Sequence, residues 1–217
     1  METLKTLFIN RFKMMALLSL SLTLSIVLLM VRAKLHQSFY LLFLVWNLFL
    51  AVIPFAITTI MVSKPKMNKL TFLATFMIWL LFLPNAPYIT TDLFHISNSN
   101  NSLLWLDVLV ILSFALNGLI LFYLSLLDME ELLVHYIRPK LIAPIVFTVF
   151  GLTAFGIYLG RFLRYNSWEI INQPSAIFSD TLKIIVQPNT EAWLFTIMFG
   201  CFLGITYWLL KSVSLKA

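Results

Sequence analysis

Charge is what this sequence has least of. Only 11% of its 217 residues are Asp, Glu, Lys or Arg, against about 25% in a soluble domain. Hydrophobic residues make up 61% and aromatic residues 15%. A chain this apolar would aggregate in water, so a soluble globular class is excluded. Cysteine is nearly absent as well. Cys201 is the only one, so no intrachain disulfide can form and the fold does not depend on redox compartment. Cys201 lies inside an apolar run and reads as a small buried residue. The common catalytic fingerprints are missing too. There is no P-loop, dinucleotide-binding glycine pattern, C-x-x-C, H-E-x-x-H or G-x-S-x-G. No internal repeat or low-complexity segment breaks the chain.

What is present is a series of long apolar runs. Spanning a bilayer takes about 20 predominantly apolar residues, and six stretches qualify or nearly do: 14–31, 39–62, 70–83 (continuing irregularly to about 96), 103–127, 141–160 and 192–210. The fold expected is all-α, one transmembrane domain over 1–217 with six spans. The first run is too long, and ends too basic at Arg32 and Lys34, for a cleaved signal peptide. Pro54 kinks the second run. Its Asn47 reads as a helix–helix contact, because polar side chains at that depth seek another helix. Between the fifth and sixth runs, PSAIFSDTLKIIVQP reads as a short amphipathic interfacial helix. It would carry Ile177, Phe178, Leu182 and Ile185 on one side and stop at Pro188.

The third run holds the most informative stretch, FLPNAPYITTDLFH from Phe82 to His95. Its clean part covers only about 21 Å of a hydrocarbon core about 30 Å thick. Pro84 and Pro87 lack N–H groups and push their preceding residues away from α geometry. The helix must therefore break inside the membrane, where irregular backbone survives only if protein or a water-filled cavity covers it. Asn85 and Tyr88 are candidates to satisfy the freed backbone groups. Asp92 and His95 follow at i, i+3 and share a face if helical. A carboxylate orienting a histidine suits a general base or half of a metal site. A metal would need Asp107 or Glu169 to complete the set. The bland alternative is an interfacial Asp–His hydrogen bond that caps the broken helix.

The fifth run ends in GIYLGRFLRYNSWE. Gly156 and Gly160 form a G-x-x-x-G pair, which permits close helix approach. Arg161, Arg164 and Trp168 would continue on one helical face. The two arginines suit phosphate or carboxylate; the alternative is an ion pair with Asp92, Asp107 or Glu169. Asn166 and Ser167 look like a turn and helix cap before Glu169. Asp107, early in the fourth run, either sits at a positive helix N-terminus or belongs to the same site. Asp128, Glu130, Glu131, His135, Arg138 and Lys140 read as a mixed polar loop, a solvated connector. Trp105, Trp168 and Trp193 fall where an aromatic belt would.

Ten of the fifteen basic residues fall on the side of both termini and five on the other, which places both ends in the cytoplasm. The Pro-broken stretch, Asp107 and the Arg161–Glu169 segment then all face outward. The formal charge of +6 belongs with basic loops meeting anionic lipid, not with nucleic acid.

The stretches Leu83–His95 and Gly156–Glu169 resemble the domain-of-unknown-function 1361 family of small bacterial multi-pass membrane proteins. Its recurring patterns are LPNAPYxxTDLxH and GxYLGRxxRxNSWD. Glu169 stands where the family has aspartate. The resemblance covers nearly the whole chain and implies a bacterial plasma-membrane protein. It implies no activity and no cofactor. Three functions compete. The first is an outward polar pocket, built from the Pro-broken third helix and the arginine-ended fifth, binding an anionic headgroup or small ligand. The second is a membrane-embedded enzyme acting on lipid-linked or envelope substrates, with Asp92 and His95 as catalytic groups and the arginines holding phosphate. A channel or carrier ranks third, because the polar residues gather on one side. The bilayer is the certain partner, and a membrane protein partner is open.

Overall fold

The computed structural model describes residues 11–64, 67–98, 103–165, 172, 174–186 and 190–214. Among them all regular structure is helical. Six helices are long and apolar enough to cross a membrane, which makes the protein an all-α polytopic membrane protein. In lipid every backbone group must be paired within its own segment, and the α-helix achieves this without help from neighbours. The chain divides into two compact units, Met1–Leu132 and Leu133–Ala217.

The first unit comprises α1 (Phe12–His36), a 3-10 turn (Tyr40–Leu42), α2 (Phe43–Ser63), α3 (Lys69–Phe82), the single turn α4 (Asn85–Tyr88), a 3-10 helix (Ile89–Asn98) and α5 (Leu104–Leu133). Asn68 caps α3 by accepting the Thr71 N–H at 2.7 Å. Trp79 of α3 is fully buried, and its Nε1 donates to Ser125 Oγ of α5 at 2.8 Å. Ser125 Oγ lies 3.3 Å from Thr58 Oγ1 of α2. Three helices thus meet at one polar hub inside an apolar core, where each hydroxyl needs a partner.

The break after α3 is a change of helix type, not an unwinding. Both prolines keep helical geometry around them, but the hydrogen-bond register shifts. Ala86 N–H donates to Leu83 O at 3.2 Å and Tyr88 N–H to Pro84 O at 3.0 Å. The Asn85 side chain donates to Phe82 O at 2.8 Å. Thr90 and Thr91 hydroxyls donate to Pro87 O and Tyr88 O, each at 2.7 Å. The carbonyl left by Pro87, Leu83 O, is thus taken by a backbone N–H, and the side-chain bonds add donors to the carbonyls around the break. Gly118 of α5 seats the break: a Cβ there would stand 2.3 Å from Ala86 O, so only glycine lets the two backbones approach this closely.

Two expectations fail in α5. Asp128 was expected in a solvated connector, but the helix runs to Leu133 and Asp128 is 5% exposed. Arg11 Nη1 donates to it at 2.6 Å, and this neutralisation lets the helix continue through acidic sequence. Polar groups also do not gather on one side. Asn117 is buried mid-helix, donating to Ser25 Oγ at 2.9 Å and Ser21 O at 3.2 Å on α1.

The second unit comprises α6 (Pro139–Phe162), α7 (Pro174–Val186) and α8 (Thr190–Ser214). α6 and α8 approach at Gly200 and Gly204. A Cβ at Gly200 would meet Phe150 O and Gly151 Cα at 3.6 and 3.7 Å, and one at Gly204 would meet the Phe150 ring at 3.3 Å. This second G-x-x-x-G pair was not noticed in the sequence. Short α7 is anchored by Ile184, buried with Tyr158 of α6 and Ala192 of α8. Leu182 is exposed; the side chains of Ile177, Phe178 and Ile185 lie outside the described residues, as does Pro188. Cys201, expected buried, is exposed on α8, because lipid, not protein, covers much of that helix.

Candidate functional site

The 3-10 helix Ile89–Asn98 has three residues per turn, so side chains at i and i+3 stack directly. That geometry aligns Asp92 and His95. Asp92 is 1% exposed, yet lies beside polar neighbours from α2 and its own helix. Asn47 Nδ2 donates to Asp92 Oδ2 at 2.9 Å. Asp92 Oδ1 faces His95 Nε2 at 3.9 Å, beyond hydrogen-bond length but within bridging reach of one water or ligand atom. His95 Nδ1 lies 2.9 Å from Tyr40 OH. Its ring packs on Phe43, centroids 4.9 Å apart, and against the edge of Tyr40 at 6.0 Å. About a third of the His95 side chain remains exposed. A carboxylate, a half-exposed imidazole and a phenol thus form one row, with the ring held by two aromatic neighbours.

Asp107 opens α5 and is fully buried. Its place in the first turn suits the helix N-terminus, but the structure adds a partner the sequence did not reveal. Arg32 of α1, 3% exposed, donates from Nε to Asp107 Oδ1 at 2.7 Å and from Nη2 to Oδ2 at 3.4 Å. Its Nη1 donates to Ser38 O at 3.0 Å. Ser38 Oγ in turn accepts the Tyr40 N–H at 3.3 Å. One polar chain therefore runs from Asp107 through Arg32, Ser38, Tyr40 and His95 to Asp92 and Asn47. Arg32 was counted as a loop-end charge; it is an internal counter-ion. Asp107 is committed to that ion pair and does not complete a metal set with Asp92 and His95. Among the described residues no three His, Cys, Asp or Glu side chains converge.

The remaining candidates are more dispersed. Asn85 and Tyr88 are half-buried in α4, with Asn85 turned to the backbone as described above. Arg161 occupies the last turn of α6, in the second unit. Arg164 does not continue that helix face: α6 ends at Phe162 and Arg164 takes a left-handed φ of 62°, a conformation usually left to glycine or asparagine at helix ends. The Tyr165 N–H returns to Leu159 O at 3.2 Å and closes the end. Tyr165 OH donates to Asp180 Oδ2 at 2.8 Å and Lys183 Nζ to Oδ1 at 3.0 Å. The lysine, then the tyrosine, hold the Asp180 carboxyl below its ordinary pKa. Asn166, Ser167, Trp168 and Glu169 lie outside the described residues. Trp105 and Trp193 are both exposed.

A family model described as "Protein of unknown function (DUF1361)" matches residues 46–206, three quarters of the chain. The chain belongs to the DUF1361 family. Neither the curated proteins nor the solved structures contain a match to it. Within this DUF1361 protein, Asn47, Asp92, His95, Asp107 and both arginines of α6 and its exit fall in the matched region, while Arg11, Arg32 and Tyr40 precede it. Arg32 and Tyr40 are the site neighbours that sequence reasoning missed, while Arg11 pairs with Asp128 at the opposite end of α1. A signal for the arginines existed. Arg11 and Arg32 are separated by the same interval as Asp107 and Asp128, as an antiparallel helix pair with an Arg–Asp contact at each end requires. For Tyr40 no such signal exists.

Proposed function

We propose that this DUF1361 protein presents an acid–base centre on the outer face of a bacterial plasma membrane and acts there on a lipid-linked or envelope substrate. The carrying observation is Asp92: a buried carboxylate held by Asn47, 3.9 Å from the Nε2 of a half-exposed histidine whose other nitrogen meets Tyr40. In this reading His95 exchanges a proton with the substrate at Nε2. Tyr40 sets the ring's tautomer, and Asp92 balances the imidazolium charge when it forms. The orientation has both termini in the cytoplasm. Each side loses one arginine to an aspartate, Arg32 to Asp107 and Arg11 to Asp128, so the basic asymmetry that supports it persists.

The test pairs Asp92→Asn with His95→Gln, both close in shape to the originals. Each variant is expected to accumulate to wild-type levels while the strain's lipid-linked and envelope intermediates shift, as resolved by lipid mass spectrometry. Wild-type profiles in both strains would defeat the reading. A second reading, binding of an anionic headgroup, is favoured by Arg164. An exposed arginine in a left-handed conformation at the end of a membrane helix is placed to meet a phosphate rather than to stabilise the chain.

A further inference from the structure

The acid–base centre stands at one end of an aromatic ladder. Tyr40, Phe43, Trp46 and Phe49 recur at every third residue of α2 and the turn before it, and residues three apart are neighbours on a helix surface. Ring centroids lie 6.3 Å apart for Tyr40–Phe43 and 5.5 Å for Trp46–Phe49, the second pair stacked. His95 packs on the first two rungs. The ladder turns away from the core of the first unit: Tyr40 is exposed and Phe43 half-buried, and Trp46 and Phe49 are 55% and 57% exposed.

Depth separates this row from an ordinary aromatic belt. Tyr40 opens a span of 24 residues. Such a span rises about 36 Å, about 3 Å past each side of a hydrocarbon core about 30 Å thick. Phe43 then lies near the core boundary, and Trp46 and Phe49 about 6 and 10 Å inside it. Belt residues sit at headgroup level, so the two lower rungs are too deep to belong to one. Neighbouring lipid faces lack the pattern: the large exposed side chains of α1 from Leu17 to Val31, and of α5 from Leu109 to Ile120, carry no ring. The stacked row of the 3-10 helix opens at the same level. Ile89 and Asp92 are buried, His95 is a third exposed, and Leu93 and Phe94 beside it are exposed. The centre is therefore flanked by apolar surface where lipid heads meet their tails.

We propose that the substrate of this centre is a lipid that enters from the bilayer, with one hydrocarbon chain laid along Trp46 and Phe49 and its head–tail junction beside His95. From Tyr40 to Phe49 the ladder descends about 14 Å, close to the depth of one leaflet of the core. Flat rings with two χ angles offer contact area at little entropic cost, which suits a chain without a fixed shape. The inference rests on the proposed function and narrows its substrate to a chain-bearing lipid rather than water-soluble envelope material.

The test places the full chain in nanodiscs of equal phosphatidylethanolamine and phosphatidylglycerol, doped with phosphatidylglycerol bearing a diazirine midway along one acyl chain. Cross-links are mapped by peptide mass spectrometry. Labelling per residue over 42–49 should exceed that over 17–31 by roughly threefold, the factor about half a dozen added dispersion contacts supply. Trp46→Leu with Phe49→Leu keeps the surface apolar, so it should leave the melting temperature unchanged while abolishing the excess. Its strain should share the lipid shifts of the His95→Gln strain. Equal labelling of the two stretches, or wild-type lipids in the double-variant strain beside a shifted His95→Gln strain, overturns the inference and leaves the acid–base reading standing. Wild-type lipids in both the Asp92→Asn and His95→Gln strains overturn that reading and the inference with it.

Discussion

Removing either partner of the Arg32–Asp107 pair should damage the protein far more than removing both. The side chains are 4% and 0% exposed, with their closest contact at 2.7 Å. Two opposite charges at that range attract by about 6 kcal/mol at an effective dielectric of 20. Taking them out of water costs a comparable amount, so the pair as a whole contributes little. One charge left alone keeps the desolvation cost and loses the attraction. Arg32→Met and Asp107→Leu should each therefore lower stability by about 3–5 kcal/mol. The double variant should cost far less than their sum, because no uncompensated charge is left buried. Unfolding by SDS in mixed micelles, followed by tryptophan fluorescence, measures all four species. Arg11→Met supplies a comparison: Arg11 is 24% exposed in its pair with Asp128, so its loss should cost less. Single variants within 1 kcal/mol of wild type, or a double variant as unstable as the sum of the singles, would refute the reasoning.

The other predictions concern packing and pH. Gly118→Ala places a Cβ 2.3 Å from Ala86 O; overpacking of about 1–3 kcal/mol outweighs a helix-propensity gain of about 1 kcal/mol. Gly151→Ala meets nothing within 4 Å and should be neutral or stabilising in the same unfolding assay, so the reverse ranking would contradict the packing. Asp180 has a lowered folded pKa, so its contribution is present above the ordinary carboxylate range and is lost as pH falls through the lowered value. Hydrogen exchange in α7, corrected for intrinsic pH dependence, should therefore rise on acidification below about pH 4. Asp180→Asn should show that faster exchange already at neutral pH.

The helices were legible because membrane spans announce themselves by length and apolarity alone. The break at Pro84 and Pro87 was equally readable, since a missing N–H is a covalent fact. Its form was not. Whether the chain unwinds or changes helix type depends on which local donors pair the carbonyls around the break, and the Ala86 N–H with the Asn85, Thr90 and Thr91 side chains do so. The Asp92–His95 pairing was visible at i, i+3. Tyr40 was invisible because it lies 55 residues away in sequence from His95. Asp128 was misread because acidic residues after an apolar run look like a loop until their arginine is known.

By itself, the sequence determined the solvent this protein folds in, the number of its spans, the site of the helix break and the sign asymmetry between its two sides. Each follows from composition, covalent geometry or a charge count. Only tertiary structure decided which charges are neutralised. Arg32 and Asp107, and Arg11 and Asp128, are separated along the chain by 75 and 117 residues respectively. A buried charge needs a counter-ion or hydrogen-bond donors beside it, and that adjacency exists only once the helices have packed.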